Sequence, residues 1–82
     1  MAIAGLLVHT LQENLDAVEA HITSMPEMTI YGTREGVYIV AVAELASERM
    51  EKKVDEIKEL EGVLAVYTTY VNTEDEFGDE RP

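Results

Sequence analysis

The sequence contains no cysteine, and its six lysines and arginines face seventeen aspartates and glutamates. The absence of cysteine excludes disulfide bonds and thiolate metal sites. The net charge of −11 disfavours nucleic acid and anionic membranes as partners, because phosphate binding needs concentrated Lys and Arg, and it favours a basic partner. The apolar start, residues 1–8, has no basic flank and is far shorter than the ~18 residues of a membrane span. We therefore expect no targeting segment and a cytoplasmic location.

The sequence also lacks the common motifs of enzymes. It has no GxGxxG or GxxxxGK[S/T] phosphate loop and no HExxH zinc motif. His9 and His21 have no third ligand at a familiar spacing, and Ser24 and Ser47 stand at predicted helix ends, where capping explains them. We expect no catalysis, no metal and no cofactor.

Hydrophobic periodicity predicts six elements in the order strand, helix, strand, strand, helix, strand. The predicted strands are residues 3–8, 28–33, 37–43 and 63–71, and the helices run from a cap near Thr10 to about Ser24 and from a cap at Ser47 to just before Gly62. Each helix has one apolar stripe at spacings of three and four: Leu11, Leu15, Val18 and Ile22, then Met50, Val54 and Ile57.

This element order predicts an α+β fold, the ferredoxin-like βαββαβ sandwich. Two β-α-β units joined by a hairpin give a four-stranded antiparallel sheet of order 4-1-3-2, with two helices on one face. Gly36 is expected to adopt a positive φ in the hairpin turn. Residues 1–71 should form the single domain. Residues 72–82 contain five acids and one arginine and are expected to form a disordered tail.

One face of such a sheet carries no helices and would be exposed to solvent. The last strand, VLAVYTTYV, nevertheless lacks the alternation of polar and apolar residues that is typical of a strand with one solvent-exposed face. Alternation assigns one set to the helix side: Leu6, Val8, Ile30, Val40, Val42, Leu64 and Val66. The open face is then expected to carry the other set: Ile3, Gly5, Leu7, His9, Thr29, Tyr31, Thr33, Val37, Ile39, Ala41, Ala65, Tyr67, Thr69 and Val71.

The expected open face is about 19 Å wide and about 20 Å long. A helix with its side chains is about 10–12 Å across, so one helix or an added peptide fits there. An apolar area of this size indicates an interaction site or an oligomer interface. A homodimer through the face is the alternative to a peptide partner.

Three stretches, GLLVHT, ITSMPEMTIYG and ELEGVLAVYTTYVNTEDE, resemble the NapD-type chaperones of periplasmic nitrate reductase assembly, and the resemblance covers nearly all of residues 3–76. It implies a cytoplasmic protein that binds the twin-arginine signal peptide of the molybdoenzyme precursor until the cofactor is inserted. The peptide is expected to be helical and to lie on the sheet. The peptide-binding residues expected from the alternation on that face are Ile3, Gly5, Leu7, His9, Tyr31, Val37, Ile39, Ala41, Tyr67 and Thr69.

Two departures from the family pattern leave the client open. Glu27 follows Pro26 where the family often has glycine, and the last strand ends Tyr70-Val71 where Tyr-His is common. Another molybdoenzyme is therefore an alternative client.

The same element order also occurs in stand-alone effector-binding domains of the Lrp/AsnC type, which PEMTIYGTREGVYIVAVAE resembles. Those domains tend to have Asp after the aromatic residue of the hairpin, and Tyr38 is followed by Ile39 instead. An acylphosphatase-like enzyme would need an arginine-bearing phosphate loop after the first strand, which is missing.

Overall fold

A computed structural model describes residues 2–72, with their side chains as far as Thr69, and shows four strands and two α-helices in the predicted order. The strands are β1 (Ala2–Thr10), β2 (Met28–Arg34), β3 (Tyr38–Leu45) and β4 (Val63–Asn72). The helices are α1 (Leu15–Thr23), which follows a short 3-10 turn at Gln12–Asn14, and α2 (Ser47–Lys58). The predicted tail, apart from Asn72, lies outside the described residues.

The four strands form one sheet of order β2-β3-β1-β4 in which all neighbouring strands are antiparallel. This is the predicted order read from the opposite edge, with β1 and β3 in the centre. The ferredoxin-like prediction is confirmed.

Both helices pack on the same face of the sheet. Their apolar stripes form one buried cluster with alternate residues of β1: Ala2, Ala4, Leu6, Val8, Val18, Ile22, Met50, Val54 and Ile57. The spacing of three and four brings each stripe onto one side of its helix. Leu15 is half-buried against this cluster, whereas Leu11 precedes the helical turns and is 42% exposed. No helix of residues 2–72 is long and apolar enough to cross a membrane.

The helices begin at other residues than predicted. Thr10 ends β1, is fully buried, and donates its backbone N–H to the Val37 carbonyl at 2.8 Å, so it does not cap α1. Asn14 takes the N-cap position of α1, and Ala46 that of α2, with Ser47 as the first helical residue.

A tight turn joins β2 to β3. Glu35 and Gly36 have φ angles of 54° and 73°, and the Val37 N–H donates to the Arg34 carbonyl at 3.2 Å. Two successive positive φ angles are typical of the type I′ hairpin turn, where glycine is favoured at the second position. The prediction for Gly36 is confirmed, and the turn delays the start of β3 to Tyr38.

Candidate functional site

The sheet face opposite the helices carries no covering element in the described part of the chain. On β1 the even-numbered residues are buried against the helices, whereas Ile3, Gly5, Leu7 and His9 are only half-buried. These four residues therefore lie on the open face, as the sequence predicts.

The predicted face of β3 is wrong. Ile39 and Ala41 are 0% and 1% exposed and belong to the core. They lie directly opposite Val8 and Leu6 of β1, and residues opposite each other in an antiparallel pair share a face. The open face instead receives Tyr38, Val40, Val42 and Glu44, which pair with His9, Leu7, Gly5 and Ile3.

Val37 is also misplaced in the prediction. It lies in the hairpin turn, is half-buried, and its carbonyl accepts the N–H of Thr10. It therefore supports the end of β1 and is not part of the open strand surface.

The sequence did contain a signal for the correct face of β3. Tyr38 and Glu44, the polar residues of the strand, have the same parity, while Ile39, Ala41, Ala43 and Leu45 are all apolar. The predicted strand stopped at Ala43, so the glutamate was left out of the alternation. With Glu44 included, the polar parity marks the face toward water.

On β4 the predicted site residues Tyr67 and Thr69 do reach the open face. They pair with Leu7 and Gly5, and Ala65 joins them opposite His9. A register shift between Val63 and Ala65 places Val63 against the core and leaves Leu64 55% exposed, contrary to its predicted position against the helices.

A second register shift, in β2, surrounds Tyr31. This residue is 70% exposed, and alternation from the core-packed Ile30 places it on the open face as predicted. The extra residue of a bulge reverses the alternation beyond it. Thr33 consequently pairs with Ile39 and lies on the helix side, which corrects its predicted position, whereas Thr29 pairs with Val42 on the open face.

A shallow cavity of about 320 Å³ lies at the centre of the open face, around Gly5. Leu7, Val40, Val42 and Tyr67 line it. A Cβ added at Gly5 would meet only the Thr69 carbonyl oxygen, at 3.8 Å, so the backbone there does not require glycine. The missing side chain opens a depression large enough for an apolar group.

The two ends of the open face differ in chemistry. At the hairpin end the rings of His9 and Tyr38 stack with their centroids 4.6 Å apart. Arg34 of β2 lies opposite Tyr38 in the strand pairing. At the other end Glu44 lies opposite Ile3. No group of metal-binding side chains occurs among residues 2–72.

Comparison with known proteins gives one family and one fold. The sequence matches the family model described as NapD protein over residues 1–75. No curated protein gives a significant match.

Similar solved structures include the solution structure of the E. coli Tat proofreading chaperone protein NapD, with a TM-score of 0.76, 23% identity, and coverage of 98% of this chain and 85% of that one. A protein from Thermus thermophilus gives a TM-score of 0.78 at 24% identity, with 89% and 95% coverage. A hypothetical protein from Pyrococcus horikoshii gives a TM-score of 0.78 at 17% identity, with coverage of 99% of this chain and 100% of that one. At these identities the structural matches support the fold.

Proposed function

Because the chain belongs to the NapD family, we propose that it binds the twin-arginine signal peptide of a periplasmic nitrate reductase catalytic precursor on the open face of its sheet. It acts in the cytoplasm and delays export of the precursor until the cofactor is inserted. Family membership makes the chain a chaperone and not an enzyme, and it decides against the Lrp/AsnC-type alternative.

The observation that carries this proposal is the apolar centre of the open face. Leu7, Val40, Val42 and Tyr67 surround the depression at Gly5, and no element within residues 2–72 covers them. From Ile3 to His9 the strand extends about 20 Å, the length of a helix of about 13 residues. A helical peptide makes its own backbone hydrogen bonds, so it can lie on this face through side-chain contacts alone.

Charge complements the apolar contact. A twin-arginine signal combines two arginines with an apolar stretch and few acids, whereas this chain has a net charge of −11. Opposite net charges accelerate encounter, and the apolar surface then slows dissociation. Burial of apolar area at about 25 cal/mol per Å² is partly offset by the ordering of the peptide.

In the free protein we propose a weak homodimer through the same face. An apolar surface of this extent is rarely left in water when a second copy can cover it. Signal peptide then displaces the partner copy, so sedimentation equilibrium should show a dimer that dissociates when peptide is added. A dimer that keeps its mass at saturating peptide would contradict a shared face.

The direct test places a carboxylate on the open face. In Leu7→Asp the new charge stays in water in the free monomer but is desolvated by bound peptide. We expect a twin-arginine peptide to bind at least about tenfold more weakly, equivalent to ~1.4 kcal/mol, in isothermal titration calorimetry.

The matched control is Thr68→Asp, which adds the same charge on an exposed residue of β4 that pairs with Leu6 on the helix side. It should bind the peptide as the wild type does. Normal binding by a folded Leu7→Asp variant would exclude the open face as the site.

A further inference from the structure

The unequal ends of the open face bear on how a signal peptide is oriented there. We propose that the peptide lies parallel to β1, with its two arginines at the Glu44 end and its apolar stretch extending toward His9 and Tyr38. This inference rests on the function proposed above and adds a direction and an arginine-reading residue to it.

Among the described residues, Glu44 is an acid of the open face without a compensating charge. Its side chain is exposed, and no cation of residues 2–72 forms an ion pair with it. The backbone carbonyl of the neighbouring Glu27 accepts the Glu44 backbone N–H at 3.0 Å. The Glu27 carboxylate, in contrast, lies 3.8 Å from the Lys53 ammonium. Glu44 therefore remains available to a guanidinium of the partner.

Strand β4 also ends at the Glu44 end of the sheet. Asn72, the last residue of β4, lies opposite Ile3, which in turn pairs with Glu44. The sequence that follows, residues 73–82, carries five acids and one arginine. In the sequence, this acidic segment directly follows Asn72.

The hairpin end is less suited to arginine. Arg34 lies opposite Tyr38 in the β2–β3 pairing, and its guanidinium would repel a second guanidinium at this end. The stacked rings of His9 and Tyr38 offer an aromatic surface there. An apolar segment of the peptide can pack on these rings, whereas the charge of Arg34 opposes a pair of cations at this end.

The order of segments in a signal peptide sets the direction. The basic residues precede the apolar stretch, so arginines at Glu44 place the following apolar residues over Gly5 and then over Leu7 and Val40. The depression at Gly5 thereby receives a side chain from the start of the apolar stretch. The positive end of the peptide's helix dipole also lies near Glu44 in this direction, and not in the reverse one.

The test is a coupling measurement between protein and peptide. Glu44→Gln is measured against a twin-arginine peptide and against the same peptide with both arginines replaced by glutamine. We expect the variant to bind the arginine peptide about three- to tenfold more weakly than the wild type, since a charge-assisted guanidinium–carboxylate contact is lost. Binding of the glutamine peptide should not change.

Glu35→Gln is the matched control, because Glu35 is an exposed acid at the opposite end of the face. It should bind both peptides as the wild type does. Coupling to Glu35 in place of Glu44 would reverse the direction, and coupling to neither would remove Glu44 as the arginine-reading residue; both results overturn this inference but leave the proposed function standing. A wild-type protein that fails to bind the arginine peptide would overturn both.

A spin label on the peptide gives an independent readout of direction. With a nitroxide at the peptide N-terminus, the backbone amide signals of Ile3 and Glu44 should broaden more than those of His9 and Tyr38. The opposite pattern of broadening would contradict the proposed direction.

Discussion

Ile39 and Val40 are neighbours of similar size, yet one is fully buried and the other lies on the open face. Nothing in their own chemistry separates them. Ile39 lies opposite Val8 and Val40 opposite Leu7, so the pairing with β1 decides which of the two meets the helices. A one-residue change of register would exchange their environments.

This difference predicts opposite effects of one substitution at two adjacent positions. Ile39→Asp buries an unpaired carboxylate and should unfold a domain whose total stability is about 5–10 kcal/mol. Val40→Asp keeps its charge in water and should melt close to the wild-type temperature. Circular dichroism melts of both variants provide the measurement, and an unfolded Val40→Asp beside a native Ile39→Asp would restore the face predicted from the sequence.

At the scale of elements, the junction between α2 and β4 is held by Gly62. Its φ is 92°, and its carbonyl accepts the Leu11 N–H at 2.8 Å, which ties the turn between α2 and β4 to the end of β1. A Cβ added at Gly62 would overlap the Asn14 side chain. Two independent constraints, the backbone conformation and the lack of space, therefore require glycine at this position.

Gly36 provides a comparison that separates these two constraints. It too has a positive φ, 73°, but a Cβ there would meet only the Gln12 side chain, at 3.8 Å or more. Gly36→Ala should therefore lower the free energy of unfolding by about 1 kcal/mol, from backbone strain alone. Gly62→Ala should lower the free energy of unfolding by about 1–3 kcal/mol more, because the added methyl group overpacks the site.

Urea unfolding of the two variants checks this difference. In an Asn14→Gly background the extra loss at Gly62 should disappear, because the overlapping side chain is gone. Equal losses for Gly36→Ala and Gly62→Ala would show that the contact with Asn14 relaxes at no cost.

At the scale of the whole molecule, charge and fold are separate properties. The five acids and one arginine of residues 73–82 contribute −4, and removing them changes the formal net charge from −11 to −7. Among the described residues, the members of the core cluster all lie within residues 2–66. Stability and electrostatic attraction of a basic peptide should therefore respond differently to truncation.

Truncation after Asn72 should leave the melting temperature nearly unchanged and lower the association rate of a twin-arginine peptide, most strongly at low salt. Peripheral charges act on encounter, and salt screens them. Stopped-flow binding at several salt concentrations and a thermal melt measure the two effects. A fall in melting temperature of more than about 4–8 °C, equivalent to ~1 kcal/mol, would show that the removed residues contribute to packing.

Much of this protein follows from the sequence alone. The order of elements, the stripes of Val18 and Ile22 in α1 and of Met50 and Val54 in α2, and the open face of β1 were predicted correctly. Helical periodicity and the rules of chain connection are local or topological, so one sequence is enough to apply them. The NapD resemblance came from the same sequence, and the family match confirms it.

Only the tertiary structure decided which side chains of the other strands form the open face. Both faces of β3 carry apolar residues, so its orientation depends on pairing with β1. Register shifts near Tyr31 and Leu64 reverse the alternation within β2 and β4, and a prediction that continues the period past them places Thr33 and Leu64 on the wrong side. Cross-strand register is a property of two segments distant in the chain, and hydrophobic periodicity within one segment does not contain it.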